Sequence, residues 1–213
     1  MKIQTDTVLP EEIEKRSFEI ITSELGERKI APENEAVVKR VIHTSADFDY
    51  YDNLVFSQDA VKIGIAALKN GARIVTDTNM AFSGVSKAAL KQLGCELSCF
   101  MADEAVAVRA KQNGTTRAVA SMEKAAELEG ETVFAIGNAP TALIRLYELI
   151  AERRIAPSLI IGVPVGFVNV VESKELIMTA GVPYIVARGR KGGSNVAAAI
   201  CNALLYQATD RKL

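Results

Sequence analysis

From Ala72 onward the chain alternates short apolar runs with helical stretches, and this alternation limits the fold more than any other feature. Strand-length runs fall at Ala72–Thr76, Cys95–Met101, Thr132–Ile136, Leu159–Val163 and Pro183–Ala187. The stretches between them are closed by Gly94, Gly114, Gly130 and Gly181, where a helix can stop in a left-handed cap. Strands separated by helices make βαβ units, and right-handed crossovers then give a parallel sheet covered on both faces. The expectation is a three-layer, doubly wound α/β fold with a mostly parallel sheet of about five strands. A closed eightfold barrel needs more strands than the chain supplies.

Upstream, from about residue 10 to about 70, the pattern reads as helical. Pro10 suits the first turn of a helix, where a missing N–H costs nothing, and Gly26 ends that helix. A second helix is expected after Pro32, running towards His43 with Val37, Val38, Val41 and Ile42 on its apolar side. A third follows Ser57 and stops at Gly71, with Val61, Ile65 and Leu68 at helical spacing. No low-complexity stretch, fixed-period repeat or Pro/Gly/Ser-rich linker interrupts the chain. Residues 1–213 therefore read as one domain, with the sheet-forming part from about 71 to 213.

Composition removes several function classes. Lys and Arg number 25 against 26 Asp and Glu, a formal charge of −1, so the general attraction to nucleic-acid backbones is missing. The longest apolar runs, such as Ser158–Val165, are strand-length, and no membrane span is expected. The stretch Met1–Asp6 lacks the apolar region of a secretory signal, so the expected location is cytoplasmic. Three cysteines, with no CxxC pair, read as reduced core thiols, and two of them, Cys95 and Cys99, fall in an expected strand.

In an open parallel sheet, ligands bind beyond the carboxyl ends of the strands. The loops expected there are Asp77–Gly84, Gly137–Thr141, Gly162–Phe167 and Arg188–Asn195, each with glycine or proline. The last contains Arg188, Arg190 and Lys191 among three glycines, just before a helix expected to begin near Ser194. Free N–H groups, the helix dipole and nearby cations together favour an anion, although a capped turn with solvated charges looks the same in sequence. The spacing is not GxGxxG and no Walker sequence is present, which disfavours a nucleotide. Arg117, after Thr115 and Thr116 at another expected helix start, is a second anion candidate. Arg40 and His43 are three apart and share a helix face, although a lone histidine is more often a plain core-edge side chain.

With a single histidine, the chain cannot build a zinc or cobalt site on imidazoles. No GxSxG elbow accompanies His43, and no activating base stands near a cysteine in sequence. What remains is one titratable imidazole with several anion-suited loops. That combination suits proton-assisted rearrangement of a polyanion, whose identity the spacing leaves open.

The motif set resembles the precorrin-8X methylmutase and cobalt-precorrin-8 methylmutase family of cobalamin biosynthesis. The resemblance rests on Arg40-Val41-Ile42-His43, Asp77 to Gly84, Thr116-Arg117, Gly137 to Leu143, Gly162 to Lys174 and Arg188 to Asn195, together with Ser17. It implies a homodimeric isomerase that moves a methyl group between neighbouring carbons of ring C by an intramolecular sigmatropic shift. The product would be hydrogenobyrinate or, with cobalt in the ring, cobyrinate; no redox cofactor, methyl donor or bound metal is implied. By the same resemblance His43 is the acid that protonates the ring system. Ser17 and Arg40 resemble substrate contacts, and Arg117, Asn138, Arg190 and Lys191 are expected to meet the substrate's carboxylates. Met80, Phe82 and Phe167 would lie against the macrocycle or pack as ordinary core. Thr44 and the Thr78-Asn79 pair depart from the family's commoner residues. The competing readings are a non-catalytic corrinoid carrier, a nucleotide- or sugar-phosphate-binding enzyme, and a cobalt chelatase.

Overall fold

The chain opens, in a computed structural model that describes Leu9 and residues 12–211, with helices where the apolar spacing demanded them. Pro10 and the Met1–Asp6 stretch lie outside the described residues. The first helix, α1, spans Ile13–Leu25 and buries Ile21 and Leu25; the second, α2, spans Glu35–Ser45 and buries Val37, Val38, Arg40, Val41 and Ile42. A single turn, α3 (Tyr50–Asn53), leads into a short strand, β1 (Leu54–Phe56), and then α4 (Ala60–Lys69). Here the structure corrects the sequence reading, because the segment expected to be wholly helical contains a strand.

The alternation from Ala72 becomes β2 (Arg73–Thr76), α5 (Asn79–Gly84), α6 (Lys87–Leu93), β3 (Leu97–Ser98), α7 (Glu104–Gln112) and α8 (Arg117–Ala125). It continues through β4 (Thr132–Ile136), α9 (Pro140–Ala151), β5 (Leu159–Gly162), α10 (Val170–Ile177), β6 (Tyr184–Ala187) and α11 (Ser194–Ala208). Four of these helices start where a side chain caps the first turn: Thr78 accepts from Ala81 N–H, Ser86 from Ala89, Asp103 from Ala105 and Val106, and Thr116 from Val119. Pro140 opens α9, where its missing N–H is harmless.

The six strands pair in the order β1-β6-β5-β4-β2-β3, all parallel except β1, which runs antiparallel to β6. Two-residue alternation sends neighbouring side chains to opposite faces. Val133 and Ala135 join Ile74, Leu159, Ile161 and Ile185 beneath α2, α4 and α11, whereas Phe134 and Ile136 join Val75, Ile160 and Val186 beneath α8, α9 and α10. This is the expected three-layer architecture, with one strand more than about five. The strand expected at Cys95–Met101 shrinks to Leu97–Ser98, so Cys95 and Cys99 flank it, partly buried. Only Cys201 is a buried thiol, and burial pushes it up to about 12; all three cysteines are free.

Strand order reverses between β2 and β4, and the helices that follow these two strands go to opposite faces: Ala81 of α5 packs in one cluster, Leu143 and Leu146 of α9 in the other. This is the switch point at which an α/β sheet opens a crevice beyond its carboxyl edge.

Candidate active site

Asp77, directly after β2, is fully buried and closes the switch point. Its Oδ1 accepts from Gly137 N–H at 2.9 Å, and its Oδ2 accepts from Asn138 and Ala139 N–H at 2.8 and 2.7 Å. Burial pushes the Asp77 carboxyl up, while these three amides pull the other way. The Thr78 hydroxyl lies 2.8 Å from that of Ser194, tying the β2 loop to the start of α11. Gly137 sits so close that a Cβ there would fall 2.7 Å from the Ser194 Cα.

The loops after β5 and β6 cross just as tightly. Gly193 N–H donates to Val163 O at 2.9 Å, and Gly166 N–H donates to Arg190 O at 3.1 Å. A Cβ on Gly192, at φ +158°, would lie 2.1 Å from Val163 O, so only glycine fits. From α10, the fully buried Lys174 sends its Nζ into the same turn. It donates to the carbonyls of Gly189 and Lys191 at 2.8 Å each, and burial pushes its ammonium down to about 8. Apolar side chains stand uncovered along this edge: Met80 in α5 is 71% exposed, and Phe167 and Val168 after β5 are 81% and 78% exposed. That exposure rejects the core-packing reading for Met80 and Phe167. Phe82 is partly buried, with the Lys87 Nζ 4.7 Å from its ring centroid.

The antiparallel β1 explains how His43 arrives at this edge. Leu54 pairs with Ala187, so β1 begins where β6 ends, and the α2–α3 segment preceding it lies at the carboxyl side of the sheet. Arg188 N–H donates to Asn53 O at 2.8 Å, and Lys191 Nζ meets Asp47 and Asp49, both at 2.6 Å, pinning that segment to the β6–α11 loop. His43 occupies the last turn of α2, half-buried, and stacks on Phe18 of α1 with centroids 5.4 Å apart and ring planes at 21°. The Arg40 Cζ lies 4.8 Å from the centroid of the same Phe18 ring and 5.2 Å from that of Tyr206. Its Nη1 pairs with Glu14, while Nε and Nη2 are buried without a partner among the described residues. Burial works to raise the Glu14 carboxyl, but the Arg40 hydrogen bond and charge, with Arg211 and His43, hold it below its ordinary value. Ser17 is partly buried beside Phe18, its hydroxyl donating to Ile13 O at 2.8 Å.

The expected anion contacts separate into free and engaged groups. Arg188 is bidentate on Glu175 at 3.0 Å, and Lys191 is held by Asp47 and Asp49, which raise its pKa. Among the described residues Arg190 makes no ion pair; its Cζ lies 5.3 Å from the exposed Phe167 ring. Asn138 is exposed, with its backbone on Asp77. Arg117 is exposed at the start of α8, whose Thr116 hydroxyl lies 3.2 Å from that of Thr141 in α9. Because helices run back against the strands, the α8 start also lies on the carboxyl edge. Arg117, Asn138, Arg190 and Lys191 thus share one edge, whereas Arg40 and His43 meet on the Phe18 ring between α1 and α2, with Ser17 its neighbour in the chain. Sequence reasoning missed Glu14, Phe18 and Tyr206, and assigned no role to the side chains of Asp77 and Lys174. Glu14 and Phe18 carry a faint signal, since their four-residue spacing puts them on one face of α1.

The family model described as "Precorrin-8X methylmutase" matches residues 12–207. A cobalt-precorrin-8 methylmutase of Leptospira interrogans serogroup Icterohaemorrhagiae serovar Lai is 45% identical over 213 residues, covering 96% of this chain and 97% of its own. A protein of the same name from Salmonella typhimurium is 47% identical, with coverage of 92% and 95%. The crystal structure of a precorrin-8x methyl mutase from Thermus thermophilus superposes with a TM-score of 0.86 at 40% identity, covering 95% of this chain and all of that one.

Proposed function

This chain belongs to the precorrin-8X methylmutase family, and from that premise we infer that it is an isomerase of cobalamin biosynthesis. It moves a methyl group within precorrin-8X or cobalt-precorrin-8, giving hydrogenobyrinate or cobyrinate. The observation that carries this reading is the family match across residues 12–207, which takes in every element of the site.

The site's chemistry supports the same conclusion. An intramolecular shift breaks one C–CH3 bond and forms another in the same molecule, so no second reactant has to be brought in. The protein must bind a polycarboxylate macrocycle, hold it in shape and ease charge movement in the ring. We assign the first task to Arg190, Arg117 and the backbone donors of the carboxyl-edge loops, with Ser17, Asn138 and Lys191 at the margins. Met80 and Phe167 offer apolar surface to the ring. His43, the chain's single imidazole and so its natural proton carrier, lends the ring a proton and recovers it after migration. Arg40, buried on Glu14 and Phe18, supports the His43 helix face from beneath. A non-catalytic carrier would need the anion groups but no imidazole.

We place the enzyme as a homodimer, supported by Ile13 and Ile20, two turns apart on α1 and 53% and 44% exposed. A cytoplasmic location fits the three free cysteines. No described helix is long and apolar enough to cross a membrane. The test of function is incubation with precorrin-8X and with cobalt-precorrin-8 separately, followed by absorption spectroscopy and product identification. Conversion of either to its isomer is expected; retention of both unchanged would leave the carrier reading in its place.

A further inference from the structure

Lys174 is fully buried on α10 and, among the described residues, has no carboxylate partner. Burying an ammonium without a counter-ion is costly, and an aliphatic side chain of similar length would avoid that cost. Its Nζ instead donates to the carbonyls of Gly189 and Lys191, each at 2.8 Å. The carbonyl between them, that of Arg190, accepts from Gly166 N–H at 3.1 Å. Three successive carbonyls of the loop after β6 are therefore taken by internal donors. The N–H groups of Gly189, Arg190, Lys191 and Gly192 have no protein acceptor among the described residues. Acceptors are engaged internally while these donors are left without a protein partner, in the loop whose Arg190 is, among the described residues, its one cation without an ion pair. A buried cation beneath such a turn also acts through a poorly screening interior, favouring an anion on the outer side.

We propose that Lys174 is the positioning residue of this loop. Its ammonium pins the Gly189 and Lys191 carbonyls inward, so that the amides of residues 189–192 and the Arg190 guanidinium together receive a carboxylate of the substrate. The inference rests on the methylmutase reading for the identity of that carboxylate and adds the device that shapes its receptor. Lys174 touches no reacting atom, so its loss acts on binding and leaves the chemical step largely alone.

The test is the split between KM and kcat in Lys174→Met, with folding checked by circular dichroism. KM should rise about tenfold or more while kcat stays within about threefold, the pattern of lost uniform binding. Arg190→Ala, which weakens binding in the wild-type background, should add little in Lys174→Met, because the loop no longer presents the guanidinium. A purely structural lysine would lower thermal stability yet leave KM and the Arg190→Ala penalty unchanged, and that result would overturn the proposal. A second measurement, on wild-type protein, serves if Lys174→Met does not fold. The amide resonances of residues 189–192 should shift on addition of hydrogenobyrinate, and unmoved amides would likewise overturn it. Amides that shift in a protein that isomerises neither substrate would sink the methylmutase reading and leave the role of Lys174 standing.

Discussion

Replacing Asp77 with alanine strips the acceptor from three amides at the switch point, and the cost can be built from their surroundings. Gly137 N–H is buried, and without a partner it carries the desolvation penalty of about 1–3 kcal/mol. The N–H groups of Asn138 and partly buried Ala139 can turn to water, at about 1 kcal/mol each. Removing a desolvated carboxylate returns part of this loss, so we expect a net destabilisation of about 2–4 kcal/mol. For a chain of this size that corresponds to a fall in Tm of roughly 5–15 °C. Asp77→Asn should be little better, because its NH2 group would face at least one of the same donors. The assay is urea unfolding followed by far-UV circular dichroism, repeated across pH. Asp77 has a folded pKa raised above 3.8, so its stabilisation is fully present below 3.8 and declines as pH rises through the folded value. The gap between wild type and Asp77→Ala should therefore narrow from acid to neutral pH. A variant within about 1 kcal/mol of wild type, or a gap that widens with pH, would refute the reasoning.

Three further outcomes are expected. Arg190→Ala should weaken product binding about tenfold and flatten its salt dependence, whereas Lys191→Ala should change affinity less, because Lys191 is already held by two carboxylates; titrations across ionic strength compare the two. Gly192→Ala, with a Cβ 2.1 Å from Val163 O, should cost about 2–4 kcal/mol in urea unfolding and raise KM. Sedimentation at micromolar concentration should give the mass of two chains, and Ile13→Asp with Ile20→Asp should shift it towards one.

The central parallel strands were legible because short, mostly buried runs rich in apolar residues between glycine-closed helices leave a strong local pattern. Strand β1 was not, since Leu54-Val55-Phe56 is too short to show a period and is a strand only through its pairing with β6. That missed strand is also what carries His43 to the ligand edge. Loops at the carboxyl edge were readable from their glycines, but the state of their charges was not. Lys191 and its partners Asp47 and Asp49 are 144 and 142 residues apart, so a tied cation and a free one look alike in sequence. The pairing of Arg40 with Glu14, 26 residues away, likewise leaves no mark in sequence. Asp77 and Lys174 are buried polar groups that hold backbone in place, and in sequence such groups are indistinguishable from surface charges.

The role of His43 is decided most directly by measuring turnover and product affinity on one folded preparation of His43→Ala. Loss of a general acid should reduce turnover of precorrin-8X or cobalt-precorrin-8 roughly 10²–10⁴-fold. Affinity for hydrogenobyrinate should survive, because the groups we assign to its carboxylates lie on the loops after the parallel strands and at the start of α8. Wild-type turnover in this variant would contradict the acid role, and an equal loss of affinity would make His43 a binding residue instead.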